Sequence, residues 1–346
     1  MCRVLAVELS LHLGAGAPMH LLPFDKRVRV ITTLVEGNSI RSTERLCAAN
    51  RETIMRLGVD VGEACHRLHD ALVGNLHVGA LEIDEVWSYV GKKQRRLRPS
   101  DSADFGDCYT FLGLDANRKA IISYVVGKRD GAHALTFCRD LRARIVNRPQ
   151  ISSDGFNPYI EAIERAFGRD VDYGQIIKTA VATEEGDRSY TSIIRMPIMG
   201  APASEYISTS YVERLNLTLR MSAKRFERRT NGFSKKLRHH AAAVALYVGH
   251  YNFCRVHESL RTTPMIALGV TGHVWSVAEL MDAALSIAPA PPAAPTVAPS
   301  PGPAPAPGVD PGQAAPDLSA GEPVAPRLQR QLSLFADDRW LDLKRR

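Results

Sequence analysis

An α/β body behind a small all-helical unit, with a disordered tail after it, is the fold class the sequence predicts, and three observations predict it. The chain of 346 residues changes character twice, from a basic, helix-patterned start up to about residue 70 to a mixed body over 78–282, and then to a Pro/Ala-rich stretch from 287. Within the body, strand and helix signals follow one another in a definite order. In the tail, 13 of the 21 prolines fall between Pro289 and Pro326, a density that leaves an extended tether in place of a packed core.

In the first unit, Val28, Ile31, Leu34 and Val35 recur at helical spacing and stop at Gly37-Asn38, a helix C-terminal signal. Ser42 is placed to cap a short second helix carrying Leu46, and Asn50 to cap a third beginning at Arg51. Three short helices with tight turns predict a helix-turn-helix DNA-binding domain over 23–75, after a poorly structured extension over 1–22 in which Met19 is an alternative start. Its last helix would offer Arg51, Thr53 and Arg56 to DNA and turn Ile54 and Leu57 inward. An ordinary three-helix bundle with solvated arginines has the same pattern.

In the body, Ala80–Val90, Tyr109–Ala116 and Lys119–Gly127 read as strands, and Ala132–Asn147 as a helix striped by Leu135, Cys138, Leu141 and Ile145. Pro149–Ser153 reads as a fourth strand, Pro158–Phe167 as a helix, Tyr173–Ala180 as a fifth strand, and a long helix begins at about Ser210. Three hairpin-linked strands followed by helix, strand, helix, strand and a closing helix is the order of a ribonuclease H-like fold with a mixed five-stranded sheet.

That order gives three acids a geometry. Asp84 lies in mid-strand, where alternation sends Ile83 and Glu85 to one face and Asp84 and Val86 to the other. Asp154 ends the fourth strand ahead of Gly155, a residue suited to a sharp turn with room for a ligand. Glu213 lies in the first turns of the closing helix, which packs by Val212, Leu215 and Leu219 and carries Glu213, Asn216, Leu217 and Arg220 on the neighbouring stripe. Carboxylates so gathered repel one another unless divalent metal holds them ionised. Asp84, Asp154 and Glu213 are therefore expected to bind Mg2+ or Mn2+, as two ions, for in-line phosphoryl displacement. Singly each acid also fits a plain role, Asp154 as a turn residue and Glu213 as a complement to the helix dipole.

The stretches Ile83-Asp84-Glu85-Val86-Trp87-Ser88-Tyr89-Val90-Gly91, Thr209-Ser210-Tyr211-Val212-Glu213-Arg214-Leu215-Asn216 and Tyr251 to Pro264 resemble the insertion-sequence-one family of DDE transposases over residues 22–280. The resemblance implies that Asp84, Asp154 and Glu213 are catalytic, that the substrate is the terminal inverted repeats of the chain's own element, and that 3′-hydroxyl groups are joined to target DNA. It also implies a homodimer or higher assembly on DNA. Some members begin with a four-cysteine zinc finger that this chain lacks, and the Pro-rich tail lies outside the pattern.

Basic runs flank the acids. Lys92, Lys93, Arg95 and Arg96 follow the first strand, and Lys224, Arg225, Arg228 and Arg229 follow the glutamate helix. With Asn216 and Arg220 they are candidate DNA contacts, although solvated faces are the usual meaning of such runs. His257, in a loop, is a secondary catalytic candidate or a loop-pinning residue, and His239 and His240 read as solvent-facing.

The net charge of +7 favours an anionic partner. Six dispersed cysteines without a Cys-x-x-Cys pair suggest neither structural zinc nor disulfides. No apolar run suits a membrane span, so a cytoplasmic, nucleoid-associated protein of a bacterium is expected, with no membrane partner. Beyond the 287–326 linker, residues 327–346 carry Gln331-Leu332-Ser333-Leu334-Phe335, which resembles the motif that docks proteins on the bacterial replication sliding clamp. Two other functions share much of this pattern: a sequence-specific DNA-binding protein with a degenerate catalytic domain, and a ribonuclease H-like nuclease that cuts without strand transfer.

Overall fold

The computed structural model describes residues 22–182, 188–227 and 230–288, and in 179–192 the backbone alone. All of these belong to one compact unit. The candidate DNA contacts Arg228 and Arg229, and the tail motif Gln331, Leu332, Ser333, Leu334 and Phe335, lie outside the described residues.

The chain opens with helices α1 (Phe24–Val35), α2 (Ile40–Cys47) and α3 (Arg51–Leu72). Ser39, not Ser42, caps α2: its side chain accepts from the Ser42 N–H, which leaves Ser42 inside the first turn. Asn50 caps α3 by accepting from the Glu52 N–H at 2.8 Å. The third helix is not short. It runs for 22 residues, because Val61, Ala64, Cys65 and Leu68 continue its apolar face into a core shared with the body. Gly62 lets it approach the later helix α7 (Leu237–Gly249) closely, since a Cβ at that position would sit 2.2 Å from the Ala242 carbonyl oxygen.

A single sheet organises the body, with strands β1 (Ala80–Val90), β2 (Gly106–Asp115), β3 (Ile121–Gly127), β4 (Gln150–Asp154), β5 (Asp172–Ala182) and β6 (Arg188–Met199). The order is β3-β2-β1-β4-β5-β6. β1, β4 and β5 run parallel, whereas β2, β3 and β6 are antiparallel to their neighbours. The sheet therefore has six strands, not the five expected. β6 escapes sequence reading because the Ile193-Ile194 pair breaks its alternation and Pro197 interrupts it. An edge strand tolerates both, since its outer backbone groups have no ladder to complete, and Ile193 and Ile194 are exposed.

Helices α4 (Gly131–Arg144) and α5 (Pro158–Phe167) join β3 to β4 and β4 to β5. Their Phe137, Cys138, Leu141, Tyr159 and Ile163 pack on the face that carries Leu81, Ile83 and Phe111, together with the second half of α3 and α9 (Val277–Ser286). The opposite face carries Val86, Leu112 and Leu114 and is covered by α6 (Ser210–Ser222) and α7. Val212, Leu215 and Leu219 of α6 are buried there, each contributing about 1.5–3 kcal/mol of transfer free energy. A one-turn helix, α8 (Pro264–Ala267), precedes α9. Among the described residues no helix is long and apolar enough to cross a membrane.

Candidate active site

The site forms where β1 outruns β4. Pairing between them ends at Glu82↔Ser152, so the strands beyond that point have no shared ladder and side chains from β1 can reach toward the end of β4. A carboxylate oxygen from each of Asp84, Glu85 and Asp154 lies within 4.8 Å of the others, a spacing that could hold a metal ion. Asp154 also closes its own turn, accepting the Phe156 N–H at 3.1 Å. Gly155 has room around it, with nothing within 4 Å of a Cβ placed there. Its backbone is not left-handed, so the turn rests on the Asp154 side chain and not on glycine geometry.

One face of β1 positions α6. Glu82 is buried, and its carboxylate accepts the N–H groups of Tyr211 at 2.8 Å and Val212 at 2.9 Å. It thus supplies two of the acceptors that a helix start leaves wanting. Burial raises the Glu82 carboxyl above its ordinary value while these two N–H groups pull it back. Two residues on, Asp84 accepts from the Asn216 side-chain amide at 2.6 Å. After another two, Val86 packs with Val212 and Leu215. Glu82, Asp84 and Val86 therefore fix the height, rotation and contact of α6 over the sheet.

Glu213 does not join the acid cluster. Its Oε1 accepts from Thr209 Oγ1 at 2.8 Å and from the ammonium of Lys178. Lys178 lies two residues past Ile176, the β5 partner of Asp154, so the pair sits over the same sheet face as Asp154. The third acid of the cluster is Glu85. Its side chain is 2% exposed, and Oε1 has no hydrogen-bond partner. Burial foremost, then the negative charge of Asp154, push its carboxyl up to about 8, against the relief given by Arg129. Arg129 stands at 3.7 Å from Glu85 and 4.0 Å from Asp154, stacked at 3.9 Å on the Phe156 ring. An orphaned, buried oxygen among three carboxylates fits a hard divalent cation better than it fits an arginine at those separations.

Glu85, Arg129 and Lys178 are the residues that sequence reasoning missed. Alternation assigned Glu85 to the far face, and only the loss of pairing with β4 beyond Glu82 lets neighbours of opposite facing serve one site. Arg129 precedes α4 and Lys178 lies on β5, and neither carries a local signal.

The remaining candidates are dispersed. Arg51 is exposed and paired with Glu44 at 3.3 Å; Thr53 is half-buried on α3; exposed Arg56 helps line a groove of about 230 Å3 with Met55, Asp60, Arg238 and His239. Lys92 is held by Asp101, while Lys93, Arg95 and Arg96 are exposed. Lys224 pairs with Glu227, Arg220 is half-buried, and Arg225 turns inward to donate to Ser234 Oγ at 3.0 Å. His257 is outside the acid cluster. Its ring is within hydrogen-bond distance of Ser259 Oγ and its N–H donates to the Thr262 carbonyl, so both contacts pin its own loop. His240 is not solvent-facing. It is fully buried, between Ser88 Oγ at 3.1 Å and Ser234 Oγ at 3.0 Å.

No protein-family model and no curated protein matches the chain. Among solved structures it is similar to transposases. A piggyBac transposase synaptic complex with hairpin DNA matches 80% of this chain and 73% of its own at 10% identity and a TM-score of 0.42. A Mos1 transposase paired-end complex with left transposon end matches at 11% identity and a TM-score of 0.18, covering 44% of this chain and 58% of that one. The Mos1 strand transfer complex matches at 12% identity and a TM-score of 0.18, covering 46% and 60%. This chain thus spans less than two thirds of the Mos1 chains.

Proposed function

We propose that the chain is a DDE-type transposase of the insertion-sequence-one kind, with Asp84, Asp154 and Glu213 as its catalytic acids and Glu85 as a further acid beside Asp84 and Asp154. The observation that carries this reading is the Asp84–Glu85–Asp154 cluster, at the point where the parallel strands β1 and β4 part, beneath a helix anchored by Glu82 and Asn216. The strand order 3-2-1-4-5, with β6 added at the edge, is that of a ribonuclease H-like domain.

Asp84, Glu85 and Asp154 would hold divalent metal, with Mg2+ or Mn2+ as the hard cations suited to carboxylate oxygens. Bound there, the metal would polarise a phosphoryl oxygen and lower the pKa of the attacking hydroxyl. Asn216 orients Asp84, and Glu82 keeps α6 at a fixed height so that Glu213 stays over the same sheet face. Arg129 lies at the rim of the cluster with its side chain 37% exposed, a position suited to a phosphate of bound DNA. Exposed Arg51, Arg56, Lys93, Arg95 and Arg96 would carry the rest of the DNA, and on DNA the protein would act as a dimer or higher assembly.

The test is incubation of the full chain with a duplex ending in the element's terminal repeat, in Mg2+ or Mn2+, with a second duplex as target. Nicking at the repeat followed by joined product is the expected result. Nicking without joined product would favour a nuclease that does not transfer strands. Specific binding without nicking would favour a DNA-binding protein with a degenerate catalytic domain.

A further inference from the structure

The odd-numbered face of β1 continues past Glu85 as Trp87 and Tyr89, and neither ring belongs to a hydrophobic core among the described residues. Successive side chains on one strand face are about 6.6–7 Å apart, so the aromatic row begins one such step from the acid cluster. The Trp87 and Tyr89 ring centroids are 6.0 Å apart, tilted by 34°. Tyr89 then stacks on Phe233 at 4.6 Å and 28°. Backbone pairing produces this stack. Ser234 bridges to Val90 in parallel and accepts the Gly91 N–H at 2.8 Å, which places the residue before each partner side by side.

Cations cover the row. Lys235 Nζ lies 3.2 Å from the Phe233 ring centre and Lys93 Nζ 5.9 Å from that of Tyr89. Arg95, Arg96 and Lys236 are exposed nearby in sequence and form no ion pair among the described residues. All three rings are half-buried. Aromatic surface kept out of the core, ordered into a row and fringed with positive charge matches the requirements of unpaired bases, whose rings stack while their phosphates meet cations.

We propose that Trp87, Tyr89 and Phe233 form a stacking platform for a single-stranded stretch of DNA, holding the unpaired bases next to the strand end presented to the acid cluster. This rests on the transposase reading in that it supplies the DNA end, and it adds a requirement that duplex alone does not meet. Paired bases expose no free ring face, so a blunt duplex gains nothing from the platform. A duplex with a frayed or overhanging end does.

The full chain is titrated, in Ca2+ to suppress cleavage, with a fluorescent blunt duplex and with the same duplex carrying a short oligothymidine overhang. Wild type should prefer the overhang by about tenfold, with quenching of tryptophan emission. Trp87→Leu combined with Phe233→Leu should abolish the preference and the quenching while keeping wild-type affinity for the blunt duplex. Trp87→Phe, which retains a ring, should keep most of the preference and controls for misfolding of the double variant. Equal wild-type affinity for the two duplexes, or an undiminished preference in the double variant, overturns the platform and leaves the transposase reading standing. Failure of wild type to bind either duplex defeats both readings.

Discussion

Asn216 donates its side-chain amide to Asp84 across 2.6 Å, joining the middle of β1 to the second turn of α6, and its own Oδ1 is buried without a partner. The bond fixes which way the Asp84 carboxylate faces. A hydrogen bond to a charged group contributes about 1.5–3 kcal/mol, so Asn216→Ala should reduce single-turnover strand cleavage by about ten- to a hundredfold while leaving DNA affinity within twofold or so. Unchanged cleavage would show that Asp84 is oriented by something else.

Asp84→Asn, Asp154→Asn and Glu213→Gln should each abolish metal-dependent cleavage and preserve DNA binding. Glu85→Gln separates the cluster from the triad. If Glu85 belongs to the cation site, calorimetric titration of the full chain with Mn2+ should show affinity lowered by about tenfold or more. Wild-type Mn2+ affinity in Glu85→Gln would remove it from the site and leave the raised carboxyl as a consequence of burial alone.

Gly62 faces the α7 backbone, with the Ala242 carbonyl oxygen only 2.2 Å from where a Cβ would be. Backbone cannot swing aside as a flexible side chain can. Gly62→Ala should therefore lower the thermal midpoint despite the better helix propensity of alanine, by an amount corresponding to about 1–3 kcal/mol. Gly58→Ala, on the same helix with only a Leu34 methyl at 3.5 Å, should be neutral or stabilising.

His69 and His240 are buried and held neutral, their pKa values driven down to about 4 and about 3 by desolvation, with Arg144 and Arg225 respectively adding to it. In the unfolded chain both titrate near 6.5, so between those limits the unfolded state binds more protons. Stability is fully present above about pH 6.5 and is withdrawn as pH falls toward 3–4. Urea midpoints should drop through this window, and His240→Gln should flatten part of the slope. An unaltered slope in that variant would count against the buried neutral histidine.

For the tail, a peptide spanning Arg327 to Trp340 should bind a purified bacterial sliding clamp with affinity on the order of micromolar, and Leu334→Ala with Phe335→Ala should remove the binding. No saturable binding at tens of micromolar, or equal binding by the double variant, would leave the motif without this role.

The element order of the body, the strand that carries Asp84 and the helix that carries Glu213 were legible in the sequence by itself, because hydrophobic periodicity and caps are local: Ala80–Val90, Pro158–Phe167 and the Ser210 helix start all appear where the pattern puts them. Tertiary structure alone decided which side chains meet. The length of α3 depends on a core it shares with distant elements, and β6 forms only because β5 offers it an edge. Glu85 enters the acid cluster because β1 loses its pairing to β4 after Glu82, while Glu213 is drawn instead to Lys178 on β5. His240 is buried because two serines from separate segments enclose it. A sequence encodes the period of a strand or helix within a few residues, but the charge and solvent around a side chain are set by residues tens of positions away.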